Sequence, residues 1–173
     1  ERSLKVSVIK IDPANPDKKQ IASAAKIVRE GGLVVFPTET VYGIAANLLD
    51  NEAVARLCKL KARPDGKPFT VHISDRSMIT DLDCPVSIKT DILINKFWPG
   101  PLTIILSSRI GQKIGFRMPA NKIALMLIRA SGVPIVAPSA NLNGKKPPVT
   151  AEEAISGLGE KVDMVIDGGR TEL

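Results

Sequence analysis

The stretch RLCKLKARPDGKPFTVHIS, residues 56–74, contains both kinds of regular structure and decides the fold class. Its first part has apolar residues at helical spacing, its middle is interrupted by proline and glycine, and its last part alternates apolar and polar residues like a strand. Helices and strands intermix in the same way along the rest of the chain, without repeats or low-complexity linkers. This pattern predicts an α/β fold: a single domain with a twisted mixed β-sheet flanked by helices.

The same stretch is strongly basic. Five cationic side chains occur within twelve residues: Arg56, Lys59, Lys61, Arg63 and Lys67. The last three are predicted to lie on or beside the loop between helix and strand, and the only histidine, His72, follows. Cations grouped on a loop can hold several phosphate oxygens at once, which favours a polyphosphate ligand in a concave basic pocket. A solvated basic face is the alternative for such a run of charge.

Composition narrows the classes of function. The 173 residues fit one domain, and their net charge of +6 favours an anionic partner, either a nucleotide or a nucleic acid. Aromatic residues make up only 3%, so stacking platforms for single strands are scarce. Two cysteines and one histidine supply neither a disulfide framework nor a zinc site, so no metal ligands are assigned. The chain has no apolar run long enough to span a membrane, and a cytoplasmic location is expected.

Three further polar clusters follow predicted strands. They lie at residues 38–40, at Arg117 and at residues 139–141. Each could be a turn or a cap on its own, but ligands of α/β proteins tend to bind where strands end and loops converge. The chain has no glycine-rich phosphate loop and no serine elbow, so side-chain cations would have to hold a triphosphate. That arrangement suits attack at the α-phosphate, with diphosphate leaving.

Five motifs occur in a fixed order along the chain. They are FPTETVYG (36–43), KAR (61–63) with KPF (67–69) and His72, FWPGPLT (97–103), GFRMP (115–119) and APSAN (137–141). On these motifs the chain closely resembles the YrdC/Sua5 family of threonylcarbamoyl-AMP synthases, from about residue 21 to residue 169. The resemblance implies a YrdC-like fold and a nucleotidyltransferase. Such an enzyme makes threonylcarbamoyl-AMP and diphosphate from L-threonine, bicarbonate or CO2 and ATP, for t6A modification of tRNA adenosine 37.

The resemblance also assigns two sets of site residues. The residues implied to bind ATP are Lys61, Arg63, Lys67, Ser139 and Asn141. The residues implied to bind L-threonine are Thr40, His72, Arg117 and Ala137. Lys61 and Arg63 are the expected catalytic cations, and Arg117 can pair with the amino-acid carboxylate while the amine takes up CO2. The carbamate can then attack the α-phosphate, with Mg²⁺ expected on the ATP phosphates.

The domain and its partners follow from the same resemblance. We expect one YrdC-like domain over residues 1–173, either truncated at its C-terminal end or of the short single-domain type, and without the C-terminal domain of the longer Sua5 type. The product is expected to pass to the tRNA threonylcarbamoyl-transfer machinery, and no membrane contact is expected. Direct contact with RNA is left open. One alternative is a module that binds double-stranded RNA or tRNA without catalysis, which the positive charge favours. Another is the carbamoyl-adenylate-forming module of hydrogenase maturation, which normally sits in a much longer chain.

Overall fold

The computed structural model describes residues 6–63 and 68–172, which form one mixed β-sheet with helices on both faces. The strands are β1 (Ser7–Lys10), β2 (Val34–Pro37), β3 (Tyr42–Asn47), β4 (Val71–His72), β5 (Ile104–Ser107), β6 (Lys113–Arg117), β7 (Ile135–Val136) and β8 (Met164–Asp167). The helices are α1 (Lys18–Arg29), α2 (Asn51–Lys61), α3 (Ser77–Asp81), α4 (Ile88–Phe97), α5 (Lys122–Ser131) and α6 (Ala151–Leu158). A 3₁₀ turn, Gly159–Lys161, follows α6.

The order of strands across the sheet is β1-β8-β2-β3-β7-β4-β6-β5. Strand β8 pairs in parallel with both β1 and β2, and β4 pairs in parallel with β6. The strands β3 and β7 join these two parallel regions through antiparallel pairing, and β5 pairs antiparallel with β6 at one edge. The predicted mixed α/β sheet is therefore confirmed.

Both faces of the sheet are buried in its central part, which explains why β2 is an unbroken apolar run. Val34 and Phe36 point to the face covered by α1 and α5. Val35 points to the opposite face and packs with residues of α2 and α6, such as Leu57 and Leu158. All four strand positions of β2 are buried. The sheet is thus a rigid platform for the loops that leave its strands.

Single residues set the ends of three helices. The sequence predicts that Asn51 caps α2, but the cap is Asp50, whose side chain accepts from two backbone N–H groups of the first turn. Asp50 has the extended backbone that a cap requires, and Asn51 is already helical. For α5 the sequence predicts a cap at Asn121 and a stop at Gly132, and the structure confirms both, with φ of 65° at Gly132. The sequence also predicts that Thr150 caps α6, which the structure confirms.

Candidate functional site

Two neighbouring parallel strands place His72 and Arg117 side by side. In the register of β4 and β6, His72 lies opposite Arg117, and Val71 lies opposite Phe116. Val71 and Phe116 belong to the core on the α2 side of the sheet. Because side chains alternate along a strand, His72 and Arg117 share the other face. The alternation of apolar residues with Gly115 and Arg117 in the sequence predicts this placement of Arg117, and the structure confirms it.

The segment after β7 brings a third set of predicted residues to the same region. The N–H of Ala137 donates to the carbonyl oxygen of Thr70 at 3.3 Å, which places Ala137 against the strand that carries His72. Further along, Ser139 forms an antiparallel bridge with Gly43 of β3. The structure therefore places residues 137–141 between the β2–β3 hairpin and β4, although 65 residues separate Ala137 from His72 in the sequence.

The hairpin loop between β2 and β3 holds Thr40 in a directed chain of hydrogen bonds. The hydroxyl of Thr38, which is buried, donates to the carbonyl oxygen of Val41 at 2.6 Å. Since a hydroxyl has one proton, Thr38 Oγ1 must accept from Thr40 Oγ1 at 3.1 Å and from Thr40 N at 3.2 Å. Thr40 Oγ1 in turn accepts from Arg117 Nη2 at 3.1 Å. Thr38 was not among the predicted site residues, yet it orients one of them.

Arg117 forms an ion pair that the sequence did not predict. Its Nη2 donates to Glu39 Oε1 at 2.6 Å, and the two side chains are only 15% and 14% exposed. In the described part of the chain, Arg117 Nε and Glu39 Oε2 are buried and make no hydrogen bond. An acidic residue between two turn threonines, directly after a buried strand, is the signal that could have identified Glu39.

The last residue of α2, Lys61, binds the segment that follows β7. Its ammonium donates to the backbone oxygens of Ser139 and Asn141 at 2.7 and 2.5 Å, and to Asn141 Oδ1 at 3.2 Å. The Ser139 hydroxyl also donates to Asn141 Oδ1 at 2.5 Å. These contacts use all three protons of the ammonium group. The structure thus brings three predicted ATP-binding residues together, and Lys61 anchors the 139–141 segment.

Two further residues, Arg63 and Lys67, are predicted to bind the phosphates. Arg63 lies close to Lys61 in the chain, whereas Lys67 is outside the described residues. Arg63 Nη2 donates to the carbonyl oxygen of Pro68 at 2.6 Å, and its guanidinium lies 4.5 Å from the centre of the Phe69 ring. Burial and the nearby Arg63 charge lower the pKa of Lys61 to about 8. Since Lys67 is not described, the concave basic pocket stays a prediction.

His72 is buried, and its environment disfavours the charged ring. Burial first and the neighbouring Arg117 second lower the pKa of His72 to about 4. Its Nδ1 lies 3.4 Å from the carbonyl oxygen of Thr70, a long contact that adds little. At neutral pH the ring is uncharged, so His72 can orient a ligand by hydrogen bonding without adding positive charge beside Arg117.

Acidification is expected to destabilise the fold through His72. The ring takes up a proton near pH 6.5 in the unfolded chain but only near pH 4 in the folded chain. The unfolded state therefore binds more protons between these values, and stability falls as the pH falls. Between pH 7 and pH 4.5 we expect a loss of roughly 2–3 kcal/mol from this group alone. Urea unfolding at pH 7 and pH 4.5 measures this loss of unfolding free energy. The variant H72Q, which lacks the titrating ring, should lose less unfolding free energy than the wild type between the two pH values. An equal loss in both proteins would contradict the assignment.

The mixed sheet, with Arg117 and His72 side by side on one face, agrees with what the comparisons with known proteins show. The family model Sua5_yciO_yrdC, described as Telomere recombination, matches residues 26–173. The chain belongs to the Sua5/YciO/YrdC family. The resemblance found in the motifs is therefore confirmed.

Three known proteins illustrate the likeness. The threonylcarbamoyl-AMP synthase of Bacillus subtilis strain 168 is 43% identical over 170 residues, which cover 92% of this chain and 49% of the relative. The crystal structure of Pyrococcus abyssi Sua5 complexed with L-threonine is 39% identical, with a TM-score of 0.89 over 95% of this chain and 51% of that one. The crystal structure of Escherichia coli YciO is 31% identical, with a TM-score of 0.86 over 96% and 86%. The chain spans about half the length of the first two.

Proposed function

We propose that this chain carries the catalytic module of a threonylcarbamoyl-AMP synthase. The reaction joins L-threonine, bicarbonate or CO2 and ATP into threonylcarbamoyl-AMP, with release of diphosphate. The observation that carries the proposal is the largely buried Arg117, which donates to the hydroxyl of Thr40 and lies beside His72 in the sheet. The name of the B. subtilis relative and the L-threonine complex of P. abyssi Sua5 support the same substrate.

The amino acid is held by the residues around Arg117. The guanidinium pairs with the carboxylate of L-threonine, because a planar fork of N–H donors matches two carboxylate oxygens. Neutral His72 and the Thr40 hydroxyl orient the polar groups, and Ala137 closes the side next to β4. The amine, in its neutral form, attacks CO2 through its nitrogen lone pair, and the nitrogen then releases a proton to water, which gives a carbamate. No protein nucleophile is needed for this step.

The nucleotide is held on the side of Lys61. Lys61 and Arg63 place positive charge beside the 139–141 segment, and Lys67 is proposed to add to it. A carbamate oxygen attacks the α-phosphorus of ATP while the bond from that phosphorus to the bridging oxygen of diphosphate breaks. The cations balance the charge that develops on the leaving oxygen. Among residues 6–63 and 68–172, no cluster of three or more His, Cys, Asp or Glu side chains could hold a metal ion. The Mg²⁺ ion is proposed to bind together with ATP, coordinated by its phosphates.

A product assay tests the proposal directly. The purified chain, ATP, L-threonine and radiolabelled bicarbonate are expected to give labelled threonylcarbamoyl-AMP and diphosphate in equal amounts. Omission of L-threonine should remove the labelled product. Carbamoyl-adenylate made from carbamoyl phosphate would instead indicate a module of the hydrogenase-maturation type. Binding of tRNA without any consumption of ATP would indicate a non-catalytic RNA module, which the low aromatic content disfavours.

A role in tRNA modification is proposed from the same assignment of the reaction product. The product would pass to the machinery that transfers threonylcarbamoyl to tRNA, and the net charge of +6 would favour a contact with RNA. Within the described ranges, none of the helices has both the length and the apolar character to cross a membrane. A cytoplasmic location and a YrdC-like domain over residues 1–173 stay predictions from the sequence.

A further inference from the structure

The ion pair between Arg117 and Glu39 is incompletely satisfied. Only one guanidinium nitrogen, Nη2, contacts one carboxylate oxygen, Oε1. In the part of the chain that the structure describes, the neighbouring donor Nε and the neighbouring acceptor Oε2 are buried without a hydrogen bond. A buried polar group without a partner costs about 1–3 kcal/mol, so an unmatched atom of this kind in a native protein calls for a partner such as a water, an ion or a ligand.

The unmatched atoms complement an amino acid. An α-amino acid carries a carboxylate that accepts hydrogen bonds and an ammonium group that donates them, and a single carbon joins the two groups. Arg117 Nε is a free donor, and Glu39 Oε2 is a free acceptor on the adjacent side chain. The two side chains touch through Arg117 Nη2 and Glu39 Oε1, so the pair contains, next to each other, the one donor and the one acceptor that a zwitterion needs.

The charge of the site points to the same class of ligand. Arg117 contributes one positive charge and Glu39 one negative charge, while His72 is uncharged at neutral pH because burial and Arg117 lower its pKa. The sum is zero, which matches a zwitterion. Arg117 alone would give a site that favours simple anions such as hydroxy acids.

The position of Glu39 is set by its neighbours. Thr38 is bonded to the carbonyl oxygen of Val41, and Thr40 is bonded both to Thr38 and to Arg117. Glu39 lies between these two anchored residues, in a hairpin loop of four residues. A carboxylate held in this way is pre-organised to receive a ligand, which lowers the entropic cost of binding.

We propose that Glu39 binds the α-ammonium group of the substrate, next to Arg117, which takes its carboxylate. The proposal rests on the proposed function, because it takes L-threonine as the ligand. Glu39 therefore selects amino acids over the corresponding hydroxy acids. It also holds the nitrogen that becomes carbamoylated at a fixed distance from the carboxylate anchor.

The test compares two ligands on two proteins. Calorimetric titration measures the binding of L-threonine and of 2,3-dihydroxybutanoate, in which a hydroxyl replaces the ammonium group, to the wild type and to E39Q. Glutamine keeps an oxygen for Arg117 Nη2 but removes the negative charge. We expect L-threonine to bind E39Q roughly 10- to 100-fold more weakly, with the affinity of the analogue about unchanged. E30Q makes the same change at an exposed position and should bind both ligands like the wild type.

Any result other than a selective loss of L-threonine binding in E39Q overturns the proposal. An equal loss for both ligands would mean that Glu39 only positions Arg117, and no loss would mean that it has no role in binding. A wild type that binds both ligands equally would overturn the proposal even if E39Q failed to fold. A wild type that binds ATP but not L-threonine would overturn the proposed function as well, and the two failures are thereby distinguished.

Discussion

Replacing Arg117 by alanine is expected to abolish measurable L-threonine binding while ATP affinity stays nearly intact. The variant loses the cation that pairs with the amino-acid carboxylate, and it leaves Glu39 buried without a partner. Removal of one member of a buried ion pair costs about 3–5 kcal/mol of unfolding free energy. Calorimetric titration with each substrate and urea unfolding measure the two effects.

The double variant R117A/E39A separates the loss of L-threonine binding from the loss of unfolding free energy. It removes both buried charges, so much of the lost stability should return, whereas L-threonine binding should not. If R117A instead loses its ATP affinity and keeps its dependence on L-threonine, the division of the site into an amino-acid side and a nucleotide side is wrong.

Replacing Lys61 by arginine is expected to weaken ATP binding roughly tenfold or more, although the charge is kept. Three acceptors converge on the compact ammonium group from the 139–141 segment. A planar guanidinium is larger and cannot direct its donors to those three points, so the segment must shift. Titration with ATP measures the loss.

Lys59 provides the matched control for this change. It lies on the same last turn of α2, and its side chain is exposed. K59R should therefore bind ATP like the wild type. Equal ATP affinity of K61R and the wild type would show that the anchor of the 139–141 segment has no part in nucleotide binding.

The sequence predicted the architecture well because the relevant patterns are local. Alternation in β6 was enough to place Phe116 in the core and Arg117 on the opposite face. Residues that start and stop helices, such as Asn121 and Gly132, act within a few residues of their positions. Such features depend on neighbours along the chain and can be recognised without knowledge of the fold.

The contacts inside the candidate site could not be predicted from local sequence patterns. Glu39 meets Arg117 across 78 residues, and Lys61 meets Ser139 across the same separation. Both contacts depend on how the β2–β3 hairpin and the 139–141 segment are placed against β4 and β6. A cluster of cations indicates an anion site, but it does not reveal that Lys61, at the end of α2, already binds backbone oxygens.

The hydrogen-bond chain through Thr38 limits what a ligand can be at Thr40. The only hydroxyl proton of Thr40 points to Thr38, so Thr40 can offer an incoming molecule nothing but an oxygen lone pair. A group that only accepts hydrogen bonds, such as a carboxylate, would meet an oxygen lone pair at this point and be repelled. The part of the proposed substrate that faces Thr40 must therefore carry a proton of its own, as the alcohol or the ammonium of L-threonine does. The direction of one hydrogen bond in a four-residue turn thus selects which group of the ligand can face Thr40.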